Sequence, residues 1–598
     1  MAKTPTSDPT LTNGTNDVSL EPDVSIQRGD GPLEASGLDV ETADAVQTRA
    51  TGRSVARATA GIVPLHILRF VIGFVAQPLI AHQTGLRWQA DAYAVSTDMI
   101  QRIWLLFEKV LNPAFLPTFI GALKEEGEER AWRFTSTAFW LTAIALIFAT
   151  GLFWWQMPLI VQIYSKKSAN EQQQIELTIR LGRLLLTGLF FLGMSSLTYT
   201  ILNGYKRFVV AALGDALWKI GVLGGAVIAL LLHLRSDKAV EVFVMGFIAG
   251  AFLKLLPQVI AIGSKWKLLR PRIEWNDPLT RKMISLAIPL IAGIVVSEAR
   301  GVYLQRLADD PKVAVEAGRA ALKWSRIIGD NLIGIFPYAL SIGIFPYLSD
   351  LARNRDRQPL TDTLMGALRI CIFTFGPITA ILIALKYPLL RAVWESGKMT
   401  QADTVQMSGP FVGFAIGLIG FACEMMLNQT FYAMTNAWIP TASGIIMTGL
   451  WIAIATVGVN MGWGLTAIAA AESISKTAKC LLMWFLLRPK LGDVKASQTL
   501  TFCFKVLCGS IFAAAVAWAV AQGIAPQSSH VGHFKIKMLL AVTAAGCSGL
   551  VIFIALGAVA GVQEVRDLLN FTGKLRRKLA QSASNSSRNR PASEWIEL

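Results

Sequence analysis

The chain carries a long internal repeat built from apolar stretches. Pro158-Leu159-Ile160 aligns with Pro388-Leu389-Leu390 at a spacing of about 230 residues. Without a gap the same offset carries Phe208 onto Trp438, Ala212 onto Ala442 and Gly214 onto Gly444. Phe115-Leu116-Pro117 matches Ile344-Phe345-Pro346 one residue out of step, and Arg69 matches Arg300 one residue the other way. A unit that long is a whole helical bundle, and two related bundles around a cleft are a plan for moving solutes by alternating access.

The solvent for such bundles is lipid. A soluble chain of 598 residues would not be 53% apolar and only 16% charged, with a mean hydropathy of +0.47. Runs of roughly 20 apolar residues, the length that crosses a bilayer, recur about fourteen times, among them 62–81, 178–202, 208–234 and 463–487. The second and eighth, 92–123 and 317–351, are the least apolar. The expected fold is all-α and integral to the membrane: about 14 transmembrane helices, arranged as two six-helix bundles and two C-terminal helices. The bundles run over 57–263 and 283–487, joined by a basic cytoplasmic linker at 264–282, and the extra helices lie within 499–561. Residues 1–56 and 562–598 are polar and are expected to be cytoplasmic tails, the first disordered and without the apolar core of a cleavable signal peptide.

The net charge of +16 is distributed as a membrane protein distributes it, which argues against nucleic acid as a partner. With the first helix entering from the cytoplasm, Lys265, Lys267, Arg270, Arg272, Arg281 and Lys282 share one side with Arg353, Arg355, Arg357, Arg488, Lys490 and the cluster from Lys574 to Lys578. The opposite loops hold mainly Arg87, Lys166, Lys167, Lys312 and Lys398. The excess of basic residues on inner loops places both termini in the cytoplasm. The six cysteines lie in apolar segments without paired spacing and read as small buried hydrophobes. His530 and His533 have metal-like spacing but no third ligand, and Gly397-Lys398 lacks the remaining residues of a phosphate loop. No metal, cofactor or bond-making chemistry is therefore expected.

Ionisable residues inside a span cost several kcal/mol unless paired, hydrated or bound to something. They concentrate in the first two helices of each repeat: Arg69 in the first, Asp98, Arg102 and Glu108 in the second, Glu298 and Arg300 in the seventh, Arg326 and Asp330 in the eighth. Several arginines around one cleft suit a diphosphate, because each guanidinium is permanently charged and offers a planar fork of donors. Asp98 with Arg102, and Arg326 with Asp330, stand four apart on one helix face and can also neutralise each other. Arg69 has no acid nearby in sequence. Pro113, Pro117, Pro337 and Pro346 interrupt the second and eighth spans and supply possible hinges.

The chain resembles the MurJ/MviN lipid II flippases of the multidrug/oligosaccharidyl-lipid/polysaccharide exporter superfamily. The resemblance runs through Ala90-Asp91-Ala92-Tyr93, Asn112-Pro113-Ala114-Phe115-Leu116-Pro117, Ile201-Leu202-Asn203-Gly204-Tyr205 and Trp324-Ser325-Arg326. It continues in Gly343-Ile344-Phe345-Pro346-Tyr347-Leu348-Ser349, Glu395-Ser396-Gly397-Lys398-Met399-Thr400 and Phe431-Tyr432-Ala433. It implies a bacterial inner-membrane flippase, monomeric, that carries a polyprenyl-diphosphate-linked saccharide across the bilayer without making or breaking a bond. Arg326 matches a cavity arginine of the family directly, Asp91 an acid at the start of helix two, and Arg102 a second arginine if a short gap is allowed. Together with the interior charges Arg69, Glu298 and Arg300, the expected substrate set is Arg69, Arg102, Arg300, Arg326, Asp91 and Glu298. The chain departs from the family at Gly73-Phe74-Val75-Ala76-Gln77, where Arg-Asp usually follows Gly-Phe-Val, and at Ser325, where an acid usually stands. Lipid II is the first expectation for the cargo and another lipid-linked glycan the second; an ion-coupled drug exporter, a membrane glycan transferase and a non-transporting scaffold stay open.

Overall fold

The structure, a computed structural model, describes residues 64–164, 171–313, 316–526, 534–568 and 570. Residues 1–56, nearly all of the tail beyond 568, Lys166, Lys167, His530 and His533 lie outside the described residues.

Sixteen α-helices are used below: α1 (Pro64–Thr84), α2 (Trp88–Glu125), α3 (Glu128–Tyr164), α4 (Gln172–Gly204), α5 (Phe208–Leu231) and α6 (Ser236–Ile262). After the basic connection come α7 (Pro278–Ala308), α8 (Gly318–Leu351), α9 (Gln358–Ala384), the short α10 (Lys386–Trp394), α11 (Gln401–Ala415) and α12 (Leu418–Ala433). The last are α13 (Trp438–Asn460), α14 (Gly464–Leu487), α15 (Ala496–Ile524) and α16 (Phe534–Val559). The described residues form no β-strand beyond an isolated bridge between Ser396 and Met399.

Among the described residues twelve helical stretches are long and apolar enough to cross a membrane, with α11 and α12 counted together. The count of fourteen is not confirmed among the described residues: α14 and α7, several of whose side chains lie outside them, are not among the twelve, whereas α2 and α8 are. α14 falls short because it carries Glu472, Lys476 and Lys479 within its apolar length. The stretch expected to be continuous from 404 to 434 is broken where Gly417 meets α14. A Cβ on Gly417 would lie 2.4 Å from Ser473 Oγ, so only glycine allows that approach. By contrast, α2 and α8 run on through their prolines.

Local geometry repeats along the chain. The turns before α5 and α13 both place a non-glycine residue in the left-handed region, Lys206 (φ 58°) and Thr435 (φ 57°). The turns before α6 and α14 also hold a left-handed residue, His233 (φ 50°) in one and a glycine, Gly462 (φ 83°), in the other. Both pairs are 229 residues apart (435 − 206 and 462 − 233). At each turn the next amide reaches back to a carbonyl five residues earlier, as in Arg207 N to Leu202 O and Asn436 N to Phe431 O, both near 2.8–2.9 Å. This is the left-handed helix ending that satisfies otherwise unpaired carbonyls.

Packing divides by neighbours. α2, α3, α4 and α6 pack on one another and α5 on α6, while α8, α11, α12, α13 and α14 form a second set, with α9 against α12. α7 leans mainly on α2 and α3. α15 and α16 pair with each other, α15 lying on α9 and α16 beside α10. Side chains such as Phe148, Trp155, Leu231, Trp438, Phe485 and Val559 are more than 65% exposed, an apolar exterior that only lipid can solvate.

Candidate functional site: interior charges between the helices

Every predicted arginine has a carboxylate partner, and the partners come mostly from distant helices. Arg69 Nη1 on α1 lies 3.2 Å from Asp215 Oδ2 on α5, which also takes the Lys254 ammonium of α6 at 2.8 Å. Lys254 is buried, sitting 4.5 Å over the Trp104 ring. Arg102 on α2 donates to Asp98 at 2.7 Å and across to Glu298 on α7 at 2.8 Å. Gln305 of α7 donates to the same Asp98 oxygen at 3.0 Å, tying α2 to α7 twice. The guanidinium passes so close to Gly301 that a Cβ there would collide with it.

Arg300 on α7 pairs with Glu472 on α14 and stacks 4.7 Å over Trp451. Arg326 on α8 pairs with Asp330, both carboxylate oxygens at 3.0 Å from Nε, with the ring of Phe414 at 5.8 Å. Of the four arginines Arg326 is the most open, its side chain 38% exposed against 29% for Arg69, 24% for Arg300 and 23% for Arg102. It lines a pocket with Asp330, Phe414, Phe421, Glu472 and Lys476. Arg300 lines the adjoining pocket, and Lys476 borders both.

Asp91 is a different kind of residue. It is fully buried at the start of α2, accepts from Gln174 Nε2 at 3.0 Å, and receives the backbone amides of Arg319 and Ala320 at 3.0 and 3.3 Å. A carboxylate there caps the N-terminus of α8, where free amides and the helix dipole favour negative charge. Arg319, equally buried, pairs with Asp91 and Asp309.

The same end of the molecule carries further bonds between α1–α6 and the later helices. Lys398 N donates to His82 O at 2.9 Å and Lys398 Nζ to Ser236 Oγ at 2.7 Å, while Arg87 pairs with Asp403 at 3.4 Å. Two left-handed glycines make the contact close: a Cβ on Gly85 would lie 2.6 Å from Lys398 O, and one on Gly397 2.4 Å from His82 O.

Sequence reasoning missed half of these groups. Asp215, Lys219, Lys254, Glu424, Glu472, Lys476 and Lys479 also sit inside apolar helices, and the criterion applied to α1, α2, α7 and α8 would have found them. Glu424 on α12 is buried between Lys479 at 2.7 Å and Lys476 at 3.2 Å. Among the described residues no group of three or more His, Cys, Asp or Glu could hold a metal ion, and the six cysteines are free.

Comparison with known proteins places these features in a wider set. Residues 80–540 match the family described as "Lipid II flippase MurJ". A "Probable lipid II flippase MurJ" of Treponema pallidum (strain Nichols) is 22% identical over 474 residues, covering 76% of this chain and 86% of that protein. A solved "Lipid II flippase MurJ, inward closed conformation" superposes with a TM-score of 0.67 at 18% identity, over 84% of this chain and 98% of its own. An inward-facing multidrug resistance MATE family transporter of the MOP superfamily gives 0.60 at 13% identity, over 72% and 99%.

Proposed function

The chain belongs to the lipid II flippase MurJ family, and from that premise we propose that it moves a polyprenyl-diphosphate-linked saccharide, lipid II first among them, from the inner to the outer leaflet of the bacterial inner membrane. The observation that carries the proposal is the sign of the interior charge. Lys and Arg outnumber Asp and Glu within the described helices, and the Arg326 side chain is 38% exposed despite its pairing, beside a small pocket of about 30 Å³. An anionic cargo matches that surplus; a cationic drug would face repulsion.

In this reading two bundles, 57–263 and 283–487, rock about the cleft. Arg326 and Arg300 take the diphosphate, while Arg102, Glu298 and Arg69 set the charge and packing of facing helices. Asp91 positions α8 for Arg326. The contacts of Lys398, Gly397, Gly85 and Arg87 close the outer end and must part for release. Basic inner loops support cytoplasmic termini. A cysteine at 267 should therefore be labelled from the cytoplasm and one at 398 from outside; labelling of both from one side would overturn this topology.

Native mass spectrometry of the purified protein tests the cargo. A co-purified mass equal to a polyprenyl diphosphate saccharide is expected, and replacing Arg326 by Ala should lower the amount bound. Retention of only phospholipid by the wild type would remove the proposal's chemical basis.

A further inference from the structure

Because α7 packs chiefly on α2 and α3 and only lightly on α13 and α14, a pocket of about 360 Å³ remains between these last three helices. Arg300, Thr441, Gly444, Thr448, Lys476 and Lys479 are among its lining residues. The lining holds three cations and no carboxylate. The acids that hold the cations approach from outside it, Glu472 on Arg300 and Glu424 on both lysines. Three cations against two carboxylates leave one positive charge facing a space within the membrane-spanning region. An unmatched charge there is costly, so the pocket calls for an anion.

We infer that this pocket is a waiting site for the diphosphate of the lipid-linked substrate before it reaches Arg326, an inference that rests on the proposed function. Continuity supports the order of sites, since Lys476 borders this pocket and that of Arg326. Beside the two threonines, α13 also brings Pro440, Ile445 and Met447 to the lining, and Ile445 is 57% exposed, which suits a hydrocarbon tail left in the bilayer while the headgroup is held. The guanidinium of Arg300 supplies fork-like donors and the two ammonium groups point charges, a combination matched to two linked phosphates.

Gly444 provides a test that leaves every charge in place. A Cβ there would have only Lys479 Nζ within 4 Å, at 3.7 Å, so Gly444→Phe grows into the pocket. The full-length protein is titrated with a polyprenyl diphosphate and the bound molecules are counted by native mass spectrometry. The wild type should hold two, Gly444→Phe one, Arg326→Ala one, and the double variant none. As a second route, Lys479→Gln removes the unmatched positive charge while Glu424 keeps Lys476, and should weaken the Gly444-sensitive molecule at least tenfold. Unchanged stoichiometry in Gly444→Phe overturns the waiting site. Displacement of that molecule by an equal concentration of phosphatidylglycerol overturns it too, by assigning the pocket to a bilayer lipid. Loss of the Arg326-dependent molecule alone would instead count against the proposed function.

Discussion

Arg326→Ala abolishes transport and leaves the protein folded and inserted: that is the expected result, and the surroundings of Arg326 explain the separation. Its pair with Asp330 is an i,i+4 contact between side chains 38% and 53% exposed. Such pairs contribute only about 0.3–0.5 kcal/mol, so thermal stability in detergent should be nearly unchanged. A charge-assisted hydrogen bond to a diphosphate contributes about 1.5–3 kcal/mol, and two of them correspond to about a hundredfold or more in affinity. Lysine should rescue only in part, since it keeps the charge and loses the fork. Rescue of a flippase-depleted strain by Arg326→Ala, or a stability loss as large as the functional one, would return Arg326 to a structural role.

Asp91→Ala should do the opposite and cost stability first. The substitution removes the acceptor of two buried amides at the start of α8 and of Gln174, and takes one of two carboxylates from the buried Arg319. Breaking a buried, hydrogen-bonded pair costs about 3–5 kcal/mol, visible as a lower melting temperature and less inserted protein. Asp91→Asn, which retains an acceptor oxygen, should recover part of the loss. An Asp91→Ala protein as stable as the wild type but inactive would make Asp91 a direct substrate ligand, as the family resemblance implied.

Those two residues also show what a sequence discloses and what it hides. Arg102 with Asp98 and Arg326 with Asp330 were readable because helical neighbours four apart share a face, and both pairs form. Arg69 looked isolated because its acid, Asp215, is 146 residues away on another helix. At Asp91 sequence similarity records that an acid is present, whereas only packing reveals the amides of α8 around it. Hydropathy leaves the count of fourteen unconfirmed for a related reason. α14 turns its charges toward partners in α7 and α12, so length and hydropathy understate a helix whose charges are paired inside the molecule. The α11–α12 break depended on Gly417 meeting Ser473, a contact with no local signature.

The most direct measurement is transbilayer movement in vesicles containing the full-length protein and a fluorescent polyprenyl diphosphate saccharide in one leaflet. The wild type should make the labelled lipid accessible in the opposite leaflet, at a rate that falls to the protein-free level with Arg326→Ala. Equal rates for wild type, variant and empty vesicles, with the protein shown to be folded, would contradict the account.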